Sequence, residues 1–291
     1  MPDLAVCESC RGELLDATSR RYRYPFINCG VCGPRDSIID TLPYARARTS
    51  MRDFTMCHAC EREYYDPLDR RFQAEPNACP VCGPHAALWN AAGAVVATRD
   101  RAVLAAANAI RAGQIVALKS LGGFQLLVDA TDDAAVRRLR RRRQGDETPY
   151  PVMCPDLECV QQHATLNAAE TQLLVSPVSP IVLVAARRDG RTLLAASVAP
   201  GRPEVGVMLP YTPLHVLLMR DLRRPIVATS GHVGDEPPCI DERDAVTRLG
   251  GIADVFLVHN RRIARPGDDS VVRVERGRPV VLRRARGYAH S

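Results

Sequence analysis

Apolar residues recur at helical spacing in several segments of the C-terminal two-thirds of the chain. Residues 100–112 are rich in alanine and are followed by Gly113, a pattern that predicts a helix ending at a glycine. Residues 131–143 predict a second helix, with Thr131 or Asp132 as its N-cap. The same spacing predicts helices at Pro213–Leu222 and Glu242–Leu249.

Short apolar runs separate these helices and predict strands, because they are far shorter than a membrane span. Helices that alternate with buried strands are typical of an α/β fold, here a mixed twisted sheet over about 190 residues. Residues 89–97 are the expected junction with the N-terminal part. The predicted strands are 115–118, 125–128, 181–184, 226–228, 254–258, 270–274 and 280–282.

The loops of this α/β part are rich in glycine, hydroxyl-bearing and basic residues. Such loops suit phosphate recognition, because backbone N–H groups and point charges can face an anion. They contain neither a P-loop nor a G-x-G-x-x-G fingerprint, so the residues alone predict a nucleotide site of unassigned type. The loops are expected at 119–124, 206–215, 228–237, 267–270 and 283–288.

Cysteines mark the N-terminal part as a duplication. Eight of the 11 cysteines form four C-x2-C pairs within the first 82 residues, separated by 18, 24 and 18 residues. Adding 50 to the first four positions gives the second four, and DATSRRY at 16–22 answers DPLDRRF at 66–72. The eight cysteines are Cys7, Cys10, Cys29, Cys32, Cys57, Cys60, Cys79 and Cys82.

Each duplicated unit predicts one structural zinc site, since two C-x2-C turns supply four thiolates to a tetrahedral ion and leave no open position. A disulfide framework and an iron–sulfur cluster are the alternatives. The first residues, MPDLAVCESC, do not read as a signal peptide, so we expect a cytoplasmic protein without a membrane anchor. A reducing compartment favours zinc over disulfides.

The remaining charged and reactive residues are expected to be solvated surface or packed core rather than functional groups. The 39 Lys and Arg against 33 Asp and Glu give a formal charge of +6, which is compatible with binding ATP or nucleic acid but requires neither. Basic residues between the cysteine pairs could form a docking or nucleic-acid face, but solvated surface is the simpler expectation. The basic residues are Arg20, Arg21, Arg35, Arg70 and Arg71. The isolated cysteines and two histidines are expected to be ordinary packed residues: Cys154, Cys159, Cys239, His215 and His259.

Several longer motifs together resemble one family. YPFINCGVCGPR and the TSMRDFTMCHAC…NACPVCGP segment resemble the zinc-finger region of the HypF carbamoyltransferases, which mature nickel–iron hydrogenases. LKSLGGFQLLVDA, GVMLPYTPLH, DDSVVR and LRRARGYA resemble the YrdC-like domain that follows the fingers in that family. The resemblance implies tandem fingers at 1–88 and a YrdC-like domain at 98–291. The resemblance does not extend to the family's acylphosphatase-like and large transferase domains, so we expect a two-domain subset of the family's architecture.

In this family the YrdC-like domain joins carbamate to ATP, which gives carbamoyl-adenylate and pyrophosphate with the help of Mg2+. The transferase domain then passes the carbamoyl group to the C-terminal cysteine of HypE. The resemblance therefore implies ATP and carbamate as substrates, and HypE or a separate transferase domain as partner. YrdC-like domains are also associated with double-stranded RNA, so RNA is a further expected contact near the Arg-rich helix end.

The match to the family's motifs assigns the site residue by residue. Lys119, Arg143 and Ser230 match positions that act on the phosphates or the carbamoyl group. Nucleotide and carbamate contacts are expected from the neighbouring loop positions Gly122, Gly123, Pro210, Tyr211, Thr212, Thr229, His232, Ser270, Arg283 and Arg286.

The departures lie at the nucleotide positions. In the family's K-x-R pair Arg143 replaces the lysine and Gly145 the arginine, and His232 replaces the asparagine of S-x-N. Losing the arginine removes a charge that would be worth a few kcal/mol at a phosphate. Three functions therefore remain open: a carbamoyl-adenylate-forming enzyme, a catalytically degenerate scaffold or RNA-binding module, and a threonylcarbamoyl-adenylate synthase. The fingers and LRRARGYA argue against the last.

Overall fold

The structure, a computed structural model, describes residues 1–144, 148–187, 190, 192–232 and 236–288. The helices are α1 Glu8–Leu15, α2 His58–Tyr65, α3 Asp100–Arg111, α4 Asp133–Arg142, α5 Leu157–His163, α6 Ala168–Val175, α7 Pro213–Leu222 and α8 Glu242–Leu249. The strands are β1 Ala86–Asn90, β2 Val95–Thr98, β3 Val116–Lys119, β4 Phe124–Asp129, β5 Val152–Met153, β6 Ala164–Thr165, β7 Ile181–Ala186, β8 Glu204–Met208, β9 Ile226–Ser230, β10 Val255–His259, β11 Val271–Glu275 and β12 Arg278–Arg283.

The strands form one mixed sheet, which confirms the predicted fold class. Within the described residues its order is β12-β11-β7-β8-β5-β9-β4-β3-β10-β1-β2, and β6 pairs with β7. The pairs β3–β10, β5–β8 and β7–β11 are parallel, and the other pairs are antiparallel.

Local signals placed several helices correctly. The helix α3 ends at Arg111 with Ala112 as its C-cap, and Gly113 follows with a φ of +74°, in the left-handed region that favours glycine. Asp132, rather than Thr131, caps α4 by accepting a hydrogen bond from the backbone N–H of Ala135. The helices α7 and α8 have the predicted bounds.

Other segments differ from the sequence expectation. The strands β1 and β2 form a hairpin where a junction was expected, and β1 pairs with β10. The loop expected from residue 206 begins only after Met208, because Glu204–Met208 is a strand between β7 and β5. The strand β9 continues through Thr229 to Ser230, so both residues lie at a strand end rather than in a loop.

Two apolar layers cover the sheet. On one face Val103 of α3 and Leu217 of α7 pack in a core that also contains Phe26, Ile27 and Met51 of the N-terminal part. On the other face the core is formed mainly around α4 and α8. The N-terminal part and the sheet therefore share one hydrophobic core, which fixes the fingers against β3 and α7.

Ion pairs reinforce this contact. Arg23 donates to Asp100 at 2.7 Å and to both oxygens of Asp221 at 3.2 and 2.7 Å. In the part of the chain that the structure describes, the helices are too short or too polar to cross a bilayer.

Candidate functional site

The eight paired cysteines gather into two clusters, one in each duplicated unit. In each cluster the four Sγ atoms lie within 4.8 Å of one another. Neighbouring Sγ atoms in the first cluster are 3.5–3.7 Å apart, and in the second 3.6–3.7 Å apart. The first contains Cys7, Cys10, Cys29 and Cys32, and the second contains Cys57, Cys60, Cys79 and Cys82.

These separations fit zinc. Four thiolates at a Zn–S distance of about 2.3 Å form a tetrahedron with edges of about 3.8 Å. The cysteines are not joined as disulfides, which would require S–S distances of about 2.0 Å. Cys7 and Cys57 precede α1 and α2 in equivalent positions, as N-cap residues with φ of −74° and −73°. The duplication seen in the sequence is therefore a duplication of local structure.

The expectation that the arginines between the cysteine pairs are solvated surface is wrong for three of the five, which are buried. Arg21, Arg35 and Arg71 are 1%, 8% and 4% exposed. Arg35 donates to four backbone carbonyls around the first cluster, including Cys29 and Cys32. Arg20 and Arg70 donate to cysteine thiols. These cations are part of the finger cores, because a four-thiolate zinc site carries negative charge.

A cavity of about 770 Å³, here called the central cavity, lies beside the ends of β9 and β11. Arg143 reaches its wall from the end of α4 and donates to Thr229 Oγ1 at 3.0 Å and to the Ser230 carbonyl at 3.2 Å. Of the predicted site residues in the described chain, this cavity brings together Arg143, Thr229, Ser230, His232 and Arg283.

Asp268 joins two of these residues, although it was not among the predicted ones. Its Oδ1 accepts the hydroxyl proton of Ser230 at 2.6 Å, and its Oδ2 pairs with Arg283 Nη1 at 2.6 Å. Arg283 Nε also donates to the Asp269 carbonyl at 2.8 Å. The side chains of Ser230 and Arg283 are therefore oriented before any ligand binds. The sequence signal for Asp268 was its place in the DDSVVR motif.

A second, much smaller cavity shares the lining residue Asp269 with the central one. Gly122, Gly123, Tyr211 and Arg286 line it. Gly122 is required there by close packing, because a Cβ would collide with the backbone of Gly267. Gly122 also accepts a hydrogen bond from Gly267 N at 2.9 Å.

A buried polar network runs along this small cavity. Gln125 donates to Tyr211 Oη at 3.1 Å and to Asp269 Oδ2 at 2.6 Å. Its Oε1 therefore faces His215 Nε2, at 3.0 Å, which identifies this nitrogen as the protonated one. His215 Nδ1 then accepts from Thr212 Oγ1 at 2.9 Å. Burial lowers the pKa of His215 to about 3, so the imidazole stays neutral, as a structural histidine.

Arg286 closes the network. It donates to Asp269 Oδ1 at 2.8 Å, and its guanidinium lies 3.6 Å from the centroid of the Tyr211 ring. Burial is the largest influence and raises the pKa of Asp269, but the charge and hydrogen bond of Arg286, together with smaller effects of His215 and Tyr211, hold that pKa below its usual value. Ser270 is completely buried and bonds the backbone at Ala285 and Arg286, so it anchors the C-terminal segment.

Lys119 lies at the interface with the fingers rather than on the central cavity. It is 1% exposed, and its ammonium donates to Glu242 Oε1 at 2.5 Å and to the His259 carbonyl at 3.3 Å. Burial lowers the pKa of Lys119, and Glu242 opposes this shift. Lys119 lines a third small cavity together with Tyr211, Thr212 and finger residues such as Phe26.

The other residues singled out in the sequence lie away from these cavities, outside the described residues or in the core. Pro210 lines a groove of about 1030 Å³ between α1, α5 and α7, outside the three cavities above. Gly145, where the family's arginine is replaced, lies outside the described residues. Cys154, Cys239, His215 and His259 are buried, as expected for packed residues.

The finger clusters and the sheet each match a known family. Residues 6–39 and 56–89 match the HypF finger, and residues 108–285 match the Sua5/YciO/YrdC family, described as telomere recombination. A HypF carbamoyltransferase from Synechocystis is 54% identical over 289 residues, or 99% of this chain. The chain belongs to the HypF family. A crystal structure of full-length HypF in a phosphate- and nucleotide-bound form has a TM-score of 0.93 and 48% identity over 99% of this chain.

The match is to one portion of these relatives. The chain spans 37% of the length of the Synechocystis HypF and 37% of the crystallised HypF. It corresponds to the finger and YrdC-like portion, as the sequence resemblance predicted.

A threonylcarbamoyl-AMP synthase is a more distant relative. A putative synthase from Mycobacterium tuberculosis is 26% identical over 168 residues, which cover 55% of this chain. Its identity is about half that of the Synechocystis HypF match, and it covers a smaller share of this chain. The comparisons therefore favour a HypF portion over the third function that the sequence left open.

Proposed function

We propose that this HypF portion forms carbamoyl-adenylate from ATP and carbamate in the central cavity. A carbamate oxygen would attack the α-phosphorus, the bond from that phosphorus to the pyrophosphate oxygen would break, and pyrophosphate would leave. Because the protein need only align the reactants and neutralise the departing charge, the required groups are cations and hydrogen-bond donors around one cavity.

The observation that carries this proposal is the convergence of three distant chain segments on that cavity. Arg143 comes from the end of α4, Thr229 and Ser230 from the end of β9, and Arg283 from the end of β12. A volume of about 770 Å³ is within the range of nucleotide-sized ligand sites.

The two arginines would contact the phosphates. Arg143 supplies a planar donor set that suits bidentate phosphate binding, although its geometry differs from that of the family's lysine. Arg283 also lines the cavity and is held by Asp268. Thr229 and Ser230 offer hydroxyls, and His232 a ring nitrogen, at the site where the family has S-x-N. Mg2+ would accompany ATP and reduce the charge of its phosphates.

We assign Lys119 and the residues around the two small cavities to the carbamate side as its supporting wall, because cavities of about 20 and 10 Å³ hold about one water each and the carbamate itself would lie in the central cavity. The cavity of Lys119 shares Ser120 and Tyr211 with that of Gly122 and Gly123, which in turn shares Asp269 with the central cavity. The three cavities therefore adjoin in sequence. Tyr211, Thr212 and Arg286 would wall this side, while Pro210 and Ser270 would support it from outside.

The zinc ions would have a structural role, since both sites are closed by four thiolates. The carbamoyl group would then pass to a transferase domain and to HypE. The name of the Synechocystis relative refers to carbamoyl transfer, and the expected RNA contact has no support from it.

The proposal is tested by exchange of labelled pyrophosphate into ATP with the zinc-loaded protein. Ammonium bicarbonate supplies carbamate, and parallel reactions add threonine or omit ammonium. We expect exchange that requires ammonium and bicarbonate together and does not change with threonine.

Two results would overturn it. Absence of exchange by folded, zinc-loaded protein would leave the degenerate scaffold as the better function. Exchange that requires threonine would restore the threonylcarbamoyl-adenylate synthase. A Lys119→Ala variant tests the carbamate side: loss of exchange with retained ATP binding is expected, whereas unchanged exchange would remove Lys119 from the site.

A further inference from the structure

Arginines of each finger donate hydrogen bonds to a zinc-ligand cysteine of the other finger. Arg70, in the second finger, donates through Nη1 to Cys10 Sγ of the first finger at 3.1 Å. Arg20, in the first finger, donates to Cys60 Sγ of the second finger at 3.6 and 3.5 Å. Arg21 adds a contact of 3.6 Å to the same sulfur.

A glutamate holds each arginine pair in place. Glu13, three residues after Cys10, accepts from Arg70 at 3.1 and 2.6 Å and from Arg71 at 2.6 Å. Glu63, three residues after Cys60, accepts from Arg21 at 3.0 and 2.5 Å and pairs with Arg20 at 2.6 Å. Each glutamate thus binds the arginines of the opposite finger.

The crossing is reciprocal and follows the duplication. Arg21 Nε donates to the carbonyl of residue 78 at 2.9 Å, and Arg71 Nε donates to the carbonyl of residue 28 at 3.1 Å. The two donors are 50 positions apart, and so are the two acceptors; this is the period that relates the cysteines. Two crossed copies of one arrangement are hard to attribute to incidental surface contact.

Hydrogen bonds of this kind act on metal affinity. A zinc ion with four thiolates carries a net charge of −2, so a guanidinium that donates to a ligand sulfur stabilises the metal-bound state. Outer partners of metal ligands change affinity by about 10–100-fold when they are removed. Here the outer partner of each site is supplied by the other finger.

The position of the donors links them to metal binding in their own finger. Arg20 and Arg21 lie between Cys10 and Cys29, and Arg70 and Arg71 lie between Cys60 and Cys79. Zinc bound by both cysteine pairs fixes the two ends of such a segment, because short finger segments fold with their metal. Loading one finger therefore positions the arginines that stabilise zinc in the other.

We propose that the two zinc sites bind their metal cooperatively, through the crossed arginines. Zinc in either finger raises the affinity of the other finger for zinc. Thermodynamic linkage requires the effect to be equal in both directions. The consequence is a finger pair that loads and loses its two ions together, so that a half-loaded protein is sparsely populated.

Arg20 and Arg70 are the suitable positions for a test, because their side chains are 37% and 31% exposed, whereas those of Arg21 and Arg71 are 2% and 5% exposed. The zinc-loaded chain would be challenged with a chelator and a thiol-alkylating reagent. Mass spectrometry of peptides then reports the release of zinc from each finger separately. Exposed Arg62, on α2, provides the control variant Arg62→Gln.

The expected result is a crossed effect. Arg70→Gln should accelerate alkylation of Cys7, Cys10, Cys29 and Cys32 on the order of 10-fold before it affects the second finger. Arg20→Gln should first accelerate alkylation of the second finger, and Arg62→Gln should affect neither. Acceleration confined to the finger that carries the substitution, or no change in either finger, would overturn the proposal, whereas acceleration that spreads to the other finger is the result of coupled release.

A ligand variant tests cooperativity without relying on the arginine variants being folded. Cys57→Ser removes one ligand of the second site, and we expect faster zinc release from the intact first site as well. Adding Arg70→Gln to Cys57→Ser should then have little further effect on the first site. Unchanged release from the first site in Cys57→Ser, or full additivity of the two substitutions, would show that the sites are independent.

Discussion

The Ser230 hydroxyl donates a hydrogen bond of 2.6 Å to Asp268, and the other oxygen of the same carboxylate forms an ion pair with Arg283. Asp268 thus holds two proposed ATP-binding groups from different strands in fixed positions. Its side chain is 25% exposed, so water weakens but does not replace these bonds. The preorganisation of the central cavity depends on this carboxylate more than on any contact between Ser230 and Arg283 themselves.

Asp268→Asn should weaken the pyrophosphate exchange reaction. The amide keeps the shape of the carboxylate but loses the charge that holds Arg283, so kcat/KM for ATP is expected to fall about 10-fold. The measurement is initial exchange rate against ATP concentration. Asp244→Asn, which removes an exposed ion-pair partner on α8, is the matched control and should leave kcat/KM unchanged. Equal values for the two variants would show that Asp268 does not position the site.

Glu242→Gln should destabilise the protein. Lys119 would remain buried beside the His259 carbonyl without a charged partner at position 242, and an uncompensated buried charge costs on the order of 3 kcal/mol. Urea unfolding at neutral pH measures the loss. The double variant Lys119→Met/Glu242→Gln should recover part of it, because both charges are then absent. A single variant as stable as the wild type would mean that this pair contributes little.

Gly122→Ala should lower the free energy of unfolding by about 1–3 kcal/mol, because the new Cβ must displace the backbone at Gly267. Gly251→Ala is the control: a Cβ there meets no atom within 4 Å. The stabilities of the two variants are compared by their midpoints in urea unfolding, provided that the dependence of the unfolding free energy on urea has the same slope in both. If both variants unfold at the same midpoint, the loop at 122 can relax and the close approach is not essential.

His215 should make stability depend on pH. Its folded pKa of about 3 lies below the unfolded value of about 6.5, so the unfolded chain binds the extra proton between these values. Stability therefore falls as pH decreases through this window, by at most about 1.4 kcal/mol per pH unit.

The His215→Gln variant isolates this contribution. Asp269 and Arg286 face the imidazole, and Asp269 also loses stabilisation towards low pH, so the difference between wild type and variant is the relevant quantity. Between about pH 7 and pH 5, urea unfolding of the variant should show a shallower dependence. Parallel curves would mean that His215 is not neutral in the folded protein.

Sequence patterns predicted elements whose signals are local. Pro213–Leu222 combines helical spacing with a threonine cap and a proline in the first turn, and its bounds were correct. The hairpin of β1 and β2 was missed because its first strand pairs with β10, about 170 residues away, and its own pattern is short. The strand β8 was missed for the same reason, since Glu204–Met208 is stabilised by strands remote in sequence.

The functional sites also divide into features with a local sequence signal and features that depend on long-range packing. Ligand spacing alone identified both cysteine clusters. The role of the arginines depended on packing between the fingers, which spacing does not specify, although the repeat of DATSRRY and DPLDRRF was a usable signal. The placement of Lys119 against Glu242 could not be predicted either, because it depends on how α8 packs against the end of β3.

The most direct test of the central claim is equilibrium binding of ATP to three forms of the zinc-loaded protein. These are the wild type, Arg143→Ala and Arg137→Ala, whose arginine lies on the same helix but is 63% exposed and paired with Asp133. If the central cavity binds the triphosphate, Arg143→Ala should weaken binding about 10-fold or more, and Arg137→Ala should bind as the wild type does. Equal ATP affinity in all three, or no binding by folded wild type, would contradict the account.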